Sequence, residues 1–209
     1  IGSLRDPDAD TPPAVADDDR RPEAKAFAAS NDARHAAQVE HLILTHLHWD
    51  HAGNLGLFPK ATVHLQEAEL RFCTGPKMTH HTVNKTYEVE DVMSALPPLF
   101  EGRMRLHNGT VEVLPGVTLH AVGGHTPGSQ VVRVNTERGW IVLASDAAHL
   151  WVNIRERSPF PIIDDLAQSL EAFSEIDRLA DSEAREAAIR VQVGDLEDRQ
   201  TQIGRVESA

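Results

Sequence analysis

Thr45-His46-Leu47-His48-Trp49-Asp50-His51-Ala52-Gly53-Asn54 sets three imidazoles and a carboxylate within six positions, directly behind the apolar stretch His41-Leu42-Ile43-Leu44. Imidazole and carboxylate are the borderline and hard ligands that suit zinc, iron or manganese. Side chains on a strand alternate with period two, so His46 and His48 share one face as the strand runs into its turn. Once the chain bends, Asp50 and His51 can approach from a second direction. That arrangement suits two neighbouring metal ions better than one. A bare His-x-His could be a loop that binds metal adventitiously; His-x-His-x-Asp-His between a strand and Ala-Gly-Asn is far more specific.

Two later segments continue the pattern. Gly123-Gly124-His125-Thr126-Pro127-Gly128-Ser129 puts a histidine in a glycine-rich turn, and Leu143-Ala144-Ser145-Asp146-Ala147-Ala148-His149 puts an aspartate at a strand end. With the motif at Thr45–Asn54 and the stretch His64-Leu65-Gln66-Glu67-Ala68-Glu69, the chain resembles the metallo-β-lactamase superfamily, and within it the N-acyl-homoserine-lactonase-like branch. The resemblance covers about residues 37–180. It implies an α/β fold, an αββα sandwich of two mixed sheets flanked by helices, incomplete here at both ends. It also implies that His46, His48 and His125 hold a first metal, Asp50 and His51 a second, and Asp146 bridges the two.

Such a centre implies a mechanism. A water shared by two cations loses a proton near neutral pH and attacks an ester-like carbonyl. One cation polarises the carbonyl oxygen while the other stabilises the departing alkoxide. No Gly-x-Ser-x-Gly offers a competing nucleophile. His149 stands three after the bridging aspartate, where related lactonases often carry Tyr; either side chain can donate a hydrogen bond to substrate. Asp50 and His149 are therefore the candidate catalytic side chains. In the family the second metal ordinarily gains a last histidine from a Gly-His-Asp-like segment near the C-terminus. All twelve histidines of this sequence lie at or before His149. Val193-Gly194-Asp195-Leu196 stands roughly where that segment falls, with Asp195 the candidate substitute.

Composition narrows the class. The 209 residues suffice for one domain with a sizeable core, and 32 acidic against 20 basic side chains give a formal charge of −12. That balance argues against a phosphate backbone as partner. No apolar run reaches the ~18 residues of a membrane span, and the acidic, Pro/Ala-rich opening lacks a signal-peptide core. A lone Cys73 fits a reducing compartment and reads as a packing residue. The expectation is a cytoplasmic protein, monomer or homodimer, acting on a small molecule and on neither nucleic acid nor membrane.

Along the chain, residues 1–36 combine breakers with charge and read as poorly structured, although the family builds its first strands there. Residues 37–180 form the domain. Val39–Thr45 and Ala61–Leu65 read as strands, Glu67–Phe72 as a short helix, Thr74–Thr86 as a loop, and Glu88–Phe100 as one helix ended by Pro97-Pro98. Val111–Leu114 and Val117–Val122 read as strands, and Gln130–Asn135 with Trp140–Ala144 as a hairpin. Leu166, Leu170, Phe173, Ile176 and Leu179 recur at helical spacing. Residues 181–209 are a divergent tail, opening with a charged helix candidate at Asp181–Arg190. Trp151, Phe160 and Met78 are candidates for an acyl-chain pocket, with core packing the blander reading. His64, His80, His81, His107 and His120 lack ligand spacing, and His41 reads as packing behind the ligands.

The leading functional expectation is a zinc hydrolase, with iron or manganese as other metals, that opens a lactone ring such as that of an N-acyl-homoserine lactone. Two other readings stand beside it. One is hydrolysis of another small ester or thioester, in the manner of glyoxalase II. The other is a metal-binding remnant with an incomplete second site and little catalysis.

Overall fold

The apolar run ahead of the histidine motif becomes a strand of only three residues, β1 (His41–Ile43), in a computed structural model that describes residues 36–180. It pairs in parallel with β2 (Thr62–Gln66), and β2 pairs in parallel with β3 (Met104–His107). Alternation sorts β2 cleanly. Val63 and Leu65 enter a core with Leu44, Leu47, Leu55, Leu70, Cys73, Ala95 and Met104, whereas His64 and Gln66 lie on the opposite face. Burial of this apolar set is the main force holding the first layer together.

The second sheet is an antiparallel meander of β4 (Val111–Leu114), β5 (Val117–Ala121), β6 (Gln130–Thr136) and β7 (Gly139–Leu143). Seven helices of four or more residues are described. They are α1 (Trp49–Ala52), α2 (Glu67–Cys73), α3 (His81–Asn84), α4 (Val89–Ser94), α5 (Leu96–Phe100), α6 (Trp151–Arg155) and α7 (Leu166–Leu179). Asp165 caps α7 by accepting from the Gln168 N–H, and the helix lays Phe173, Ile176 and Leu179 against Val131, Ala147 and Ile154. The two sheets are joined by buried amides. Gln66 donates to the Gln130 side chain at 2.8 Å, and Gln130 donates to the Leu44 carbonyl at 2.7 Å. The αββα layering is thus the expected one, but the described strands are not mixed within a sheet: one sheet is parallel and the other antiparallel.

Several local expectations need correction. Thr74–Thr86 is not plain loop; it holds a 3₁₀ turn at Pro76–Thr79 and the single turn α3. Glu88–Phe100 is two helices, because Pro97 falls in the first turn of α5, where its missing N–H costs nothing. Strand β3 has no counterpart among the expected strands. Met78 is not among the residues lining the cavity described below, and Trp151 packs against the core under α7. No described helix is long and apolar enough to cross a membrane. Residues 1–35 and the tail, with Asp195 and the Asp181–Arg190 helix candidate, lie outside the described residues.

Candidate metal centre

His46 and His48 follow β1 on an extended segment, and His48 opens α1, whose first turn carries Asp50 and His51. His125 comes from the glycine-rich turn between β5 and β6. There Gly123 and Gly124 adopt φ of 64° and 85°, the left-handed region that glycine enters without a Cβ penalty. A Cβ on Gly124 would also lie 2.6 Å from the Ser169 backbone nitrogen, so the turn sits directly on α7. Asp146 follows β7, immediately after Ser145, a non-glycine residue held at φ 47°.

These four segments converge. His46, His48 and His125 bring one nitrogen each within 4.8 Å of one another, as do the donor atoms of His46, His51 and Asp146, and those of His125, Asp146 and His149. The two oxygens of Asp146 are divided between neighbours. Oδ2 lies 3.4 Å from His125 Nε2, 3.2 Å from His149 Nε2 and 3.9 Å from His46 Nε2, while Oδ1 lies 3.4 Å from His51 Nε2. Asp50 is outside the three groups. It is half exposed at the rim, with Oδ2 3.5 Å from His51 Nε2.

The protonation chemistry favours a cation over protons. His125 Nδ1 must donate to the Ile162 carbonyl at 2.7 Å, so its Nε2 carries a lone pair aimed at His48 Nδ1, 3.0 Å away. Burial, reinforced by the neighbouring imidazoles, lowers His46 to about 2 and His48 to about 3; burial lowers His125 as well. His51 is raised, chiefly by its hydrogen bond to Asp146. For Asp146 burial alone would raise the carboxyl, but hydrogen bonds from His149 and His51 outweigh it and hold the group well below the usual carboxylate range. Among the described residues, His46 Nε2 is the buried side-chain nitrogen left without a hydrogen-bond partner, on a side chain 1% exposed. A buried polar atom with no partner is costly, and a metal ion at the mouth of three neutral imidazoles removes that cost. The donor set therefore fits zinc or a similar divalent ion.

The cluster is braced from beneath by Glu69, a fully buried carboxylate on α2 that the spacing of charged residues does not single out. A helical Glu in Glu67-Ala68-Glu69 reads as solvent-facing until the Thr126 and Leu47 donors are seen beside it. Burial raises its carboxyl, and hydrogen bonds from Thr126, Leu47, Tyr87 and Gly128 oppose that rise. Beside His48 and His125 opens a cavity of about 170 Å³, whose lining includes Phe72, Val83, Ile162 and Ile163. Phe160 packs on His149 in a tilted arrangement, ring centroids 4.5 Å apart at 31°. His41 is not behind the ligands as expected. It shares a 3.0 Å hydrogen bond with His64, which makes another of 3.0 Å with His107, a ladder of imidazoles across β1, β2 and β3. His120 is a satisfied core histidine, bonded to Thr118 and Thr110. Cys73 packs in the core, its thiol pushed up to about 12 by burial and by Glu69.

Comparison with known proteins agrees with this geometry. The model of the Metallo-beta-lactamase superfamily matches residues 16–185. An N-acyl homoserine lactonase from Bacillus cereus is 31% identical over 150 residues, spanning 71% of this chain and 53% of that protein. A solved structure of a B. thuringiensis AiiA mutant with N-decanoyl-L-homoserine bound at the active site superposes with a TM-score of 0.58 at 29% identity, covering 71% of this chain and 54% of that one. A second, of an N-acyl homoserine lactone hydrolase with the product N-hexanoyl-L-homoserine at the catalytic metal center, gives 0.58 at 28% with the same coverage. The chain spans about half the length of the curated lactonases it matches. A histidine cluster on strand ends between two sheets, matched by the family model over most of the sequence, makes this chain a member of the metallo-beta-lactamase superfamily.

Proposed function

We propose that this protein is a zinc-dependent hydrolase that opens the ring of an N-acyl-homoserine lactone. The observation that carries the reading is the convergence of His46, His48 and His125 on a partnerless His46 Nε2, with His51 and Asp146 alongside. His46, His48 and His125 would hold one ion and Asp50 with His51 a second, with Asp146 shared between them. Two such ions supply a water activated near neutral pH and an electrophile for the ester carbonyl.

The rest falls to the chain itself. His149, whose Nε2 lies 3.2 Å from Asp146 Oδ2, would donate to the substrate carbonyl or ring oxygen once a bound ion takes over that carboxylate oxygen. Asp50, at the rim beside His51, would take the proton released by the attacking water and pass it to the departing alkoxide. The apolar side chains of Phe72, Val83, Ile162 and Ile163 in the cavity wall would offer an acyl chain a surface to lie on. The lactonase relatives support the same substrate class.

The test is hydrolysis by protein loaded with two equivalents of zinc. N-hexanoyl-homoserine lactone, an S-acyl-glutathione thioester and a simple aryl ester are compared by proton release. Preference for the lactone, with His149→Phe slowing turnover at unchanged zinc content, is expected. Preference for the thioester, or a zinc-loaded protein without turnover on any of the three, would overturn the reading.

A further inference from the structure

We infer that Glu69 is a positioning residue: one buried carboxylate that fixes both metal-binding loops relative to each other. The inference rests on the metal-centre reading above and deepens it.

Glu69 is 0% exposed. Its Oε1 accepts from the Leu47 N–H at 3.0 Å and from the Tyr87 hydroxyl at 3.0 Å. Its Oε2 accepts from the Thr126 hydroxyl at 2.5 Å, and the Gly128 backbone N–H also donates to the carboxylate. Each donor belongs to the metal centre's framework. Leu47 lies between His46 and His48. Thr126 follows His125. Tyr87 packs edge-on against the His48 ring, centroids 4.7 Å apart at 80°. A carboxylate has about four lone-pair sites, and here the donors from three separate segments occupy them. The approach is so close that a Cβ on Gly128 would collide with the backbone of Glu69, so the His125 turn cannot slide across α2.

Charge and shape both matter here. Charge-assisted hydrogen bonds are about twice as strong as neutral ones, and groups that orient first-layer ligands typically change metal affinity by ~10–100-fold when altered. In Glu69→Gln one face of the side chain becomes a donor. Thr126 can turn its hydroxyl to accept from that amide, because it also bonds Ser129 Oγ at 2.8 Å. The Gln variant should therefore fold while losing the set of converging charge-assisted bonds. A carboxylate that served only the core would change stability and leave the ligands where they are.

The experiment reads zinc affinity, by competition with a chromophoric chelator, and the visible d–d spectrum of the cobalt(II)-loaded protein, which reports ligand geometry. Parent, Glu69→Gln, Thr126→Ser and Thr126→Val are compared, each checked for native far-UV circular dichroism. Glu69→Gln is expected to bind zinc at least about tenfold more weakly with a shifted cobalt band. Thr126→Ser should match the parent, and Thr126→Val should move in the direction of Glu69→Gln. Zinc affinity within about twofold of parent and an unchanged cobalt spectrum in Glu69→Gln would overturn the inference. If that variant does not fold, indistinguishable Thr126→Ser and Thr126→Val proteins would overturn it as well. A parent that binds neither ion would instead defeat the metal-centre reading itself, in the first arm of the same experiment.

Discussion

Replacing His64 by Asn should flatten the acid branch of the protein's stability curve. His64 is buried between His41 and His107, and burial first, then the neighbouring His107, His41 and Arg105, lower it from 6.5 to about 4. The folded state thus holds fewer protons on this ring than the unfolded chain does at mildly acidic pH. A depressed folded value contributes stability that is complete above the unfolded value and is lost as pH falls towards the folded one. Between about pH 7 and about pH 4.5, a gap of this size is worth roughly 2 kcal/mol. Protonated, His64 becomes a double donor, so the cost of acid is the charge placed on a buried ring rather than a lost ladder bond. The assay is urea unfolding of metal-free parent and His64→Asn at both pH values. Asn costs the ladder its bonds at pH 7, but that loss is present at both ends and cancels in the difference. His46 and His48 titrate in the same direction in both proteins and cancel likewise. Parent should lose about 2 kcal/mol more than His64→Asn on acidification. Parallel losses in the two proteins would refute the assignment of that proton uptake to the ladder.

Two further outcomes are expected. Zinc at about a hundred times its dissociation constant should stabilise the parent by about 2.7 kcal/mol, raising Tm by roughly 5–10 °C, and His46→Ala should lose most of that rise; calorimetry with and without chelator measures it, and equal Tm values in parent would count against a structured site. Gly124→Ala should cost about 1–3 kcal/mol in urea unfolding, since φ 85° and the Ser169 backbone both oppose a Cβ; a loss under about 0.5 kcal/mol would mean that the turn relaxes away from α7.

Much of the centre is legible because its chemistry is local in sequence. His46, His48 and His51 stand out by spacing, and His125 and Asp146 by the turns that hold them. The hairpin of β6 and β7 and the face of α7 follow from periodicity, which burial enforces on strand and helix alike. What stays hidden depends on partners distant in the chain. Strand β3 offers only Met104-Arg105-Leu106-His107, and it is a strand because β2 supplies a parallel edge. The ladder exists because Ile43 stands opposite His64 and Gln66 opposite His107, a register that no single segment encodes. Glu69 resembles surface charge because its donors come from residues 47, 87, 126 and 128. Pro97-Pro98 reads as a stop, yet proline is tolerated in a first turn as well as after a last one.

Ser145 carries a consequence for anyone who tries to improve this protein. Its left-handed backbone costs on the order of 1–2 kcal/mol for a residue with a Cβ, yet its hydroxyl meets Thr45 Oγ1 at 3.0 Å, and Thr45 in turn touches His46 Nδ1 at 3.2 Å. Ser145→Gly would relieve the backbone and sever the hydroxyl chain between the aspartate loop and the first histidine. A library screened for heat resistance would enrich that substitution, whereas one screened for turnover would discard it. Position 145 is where the two selections should first diverge.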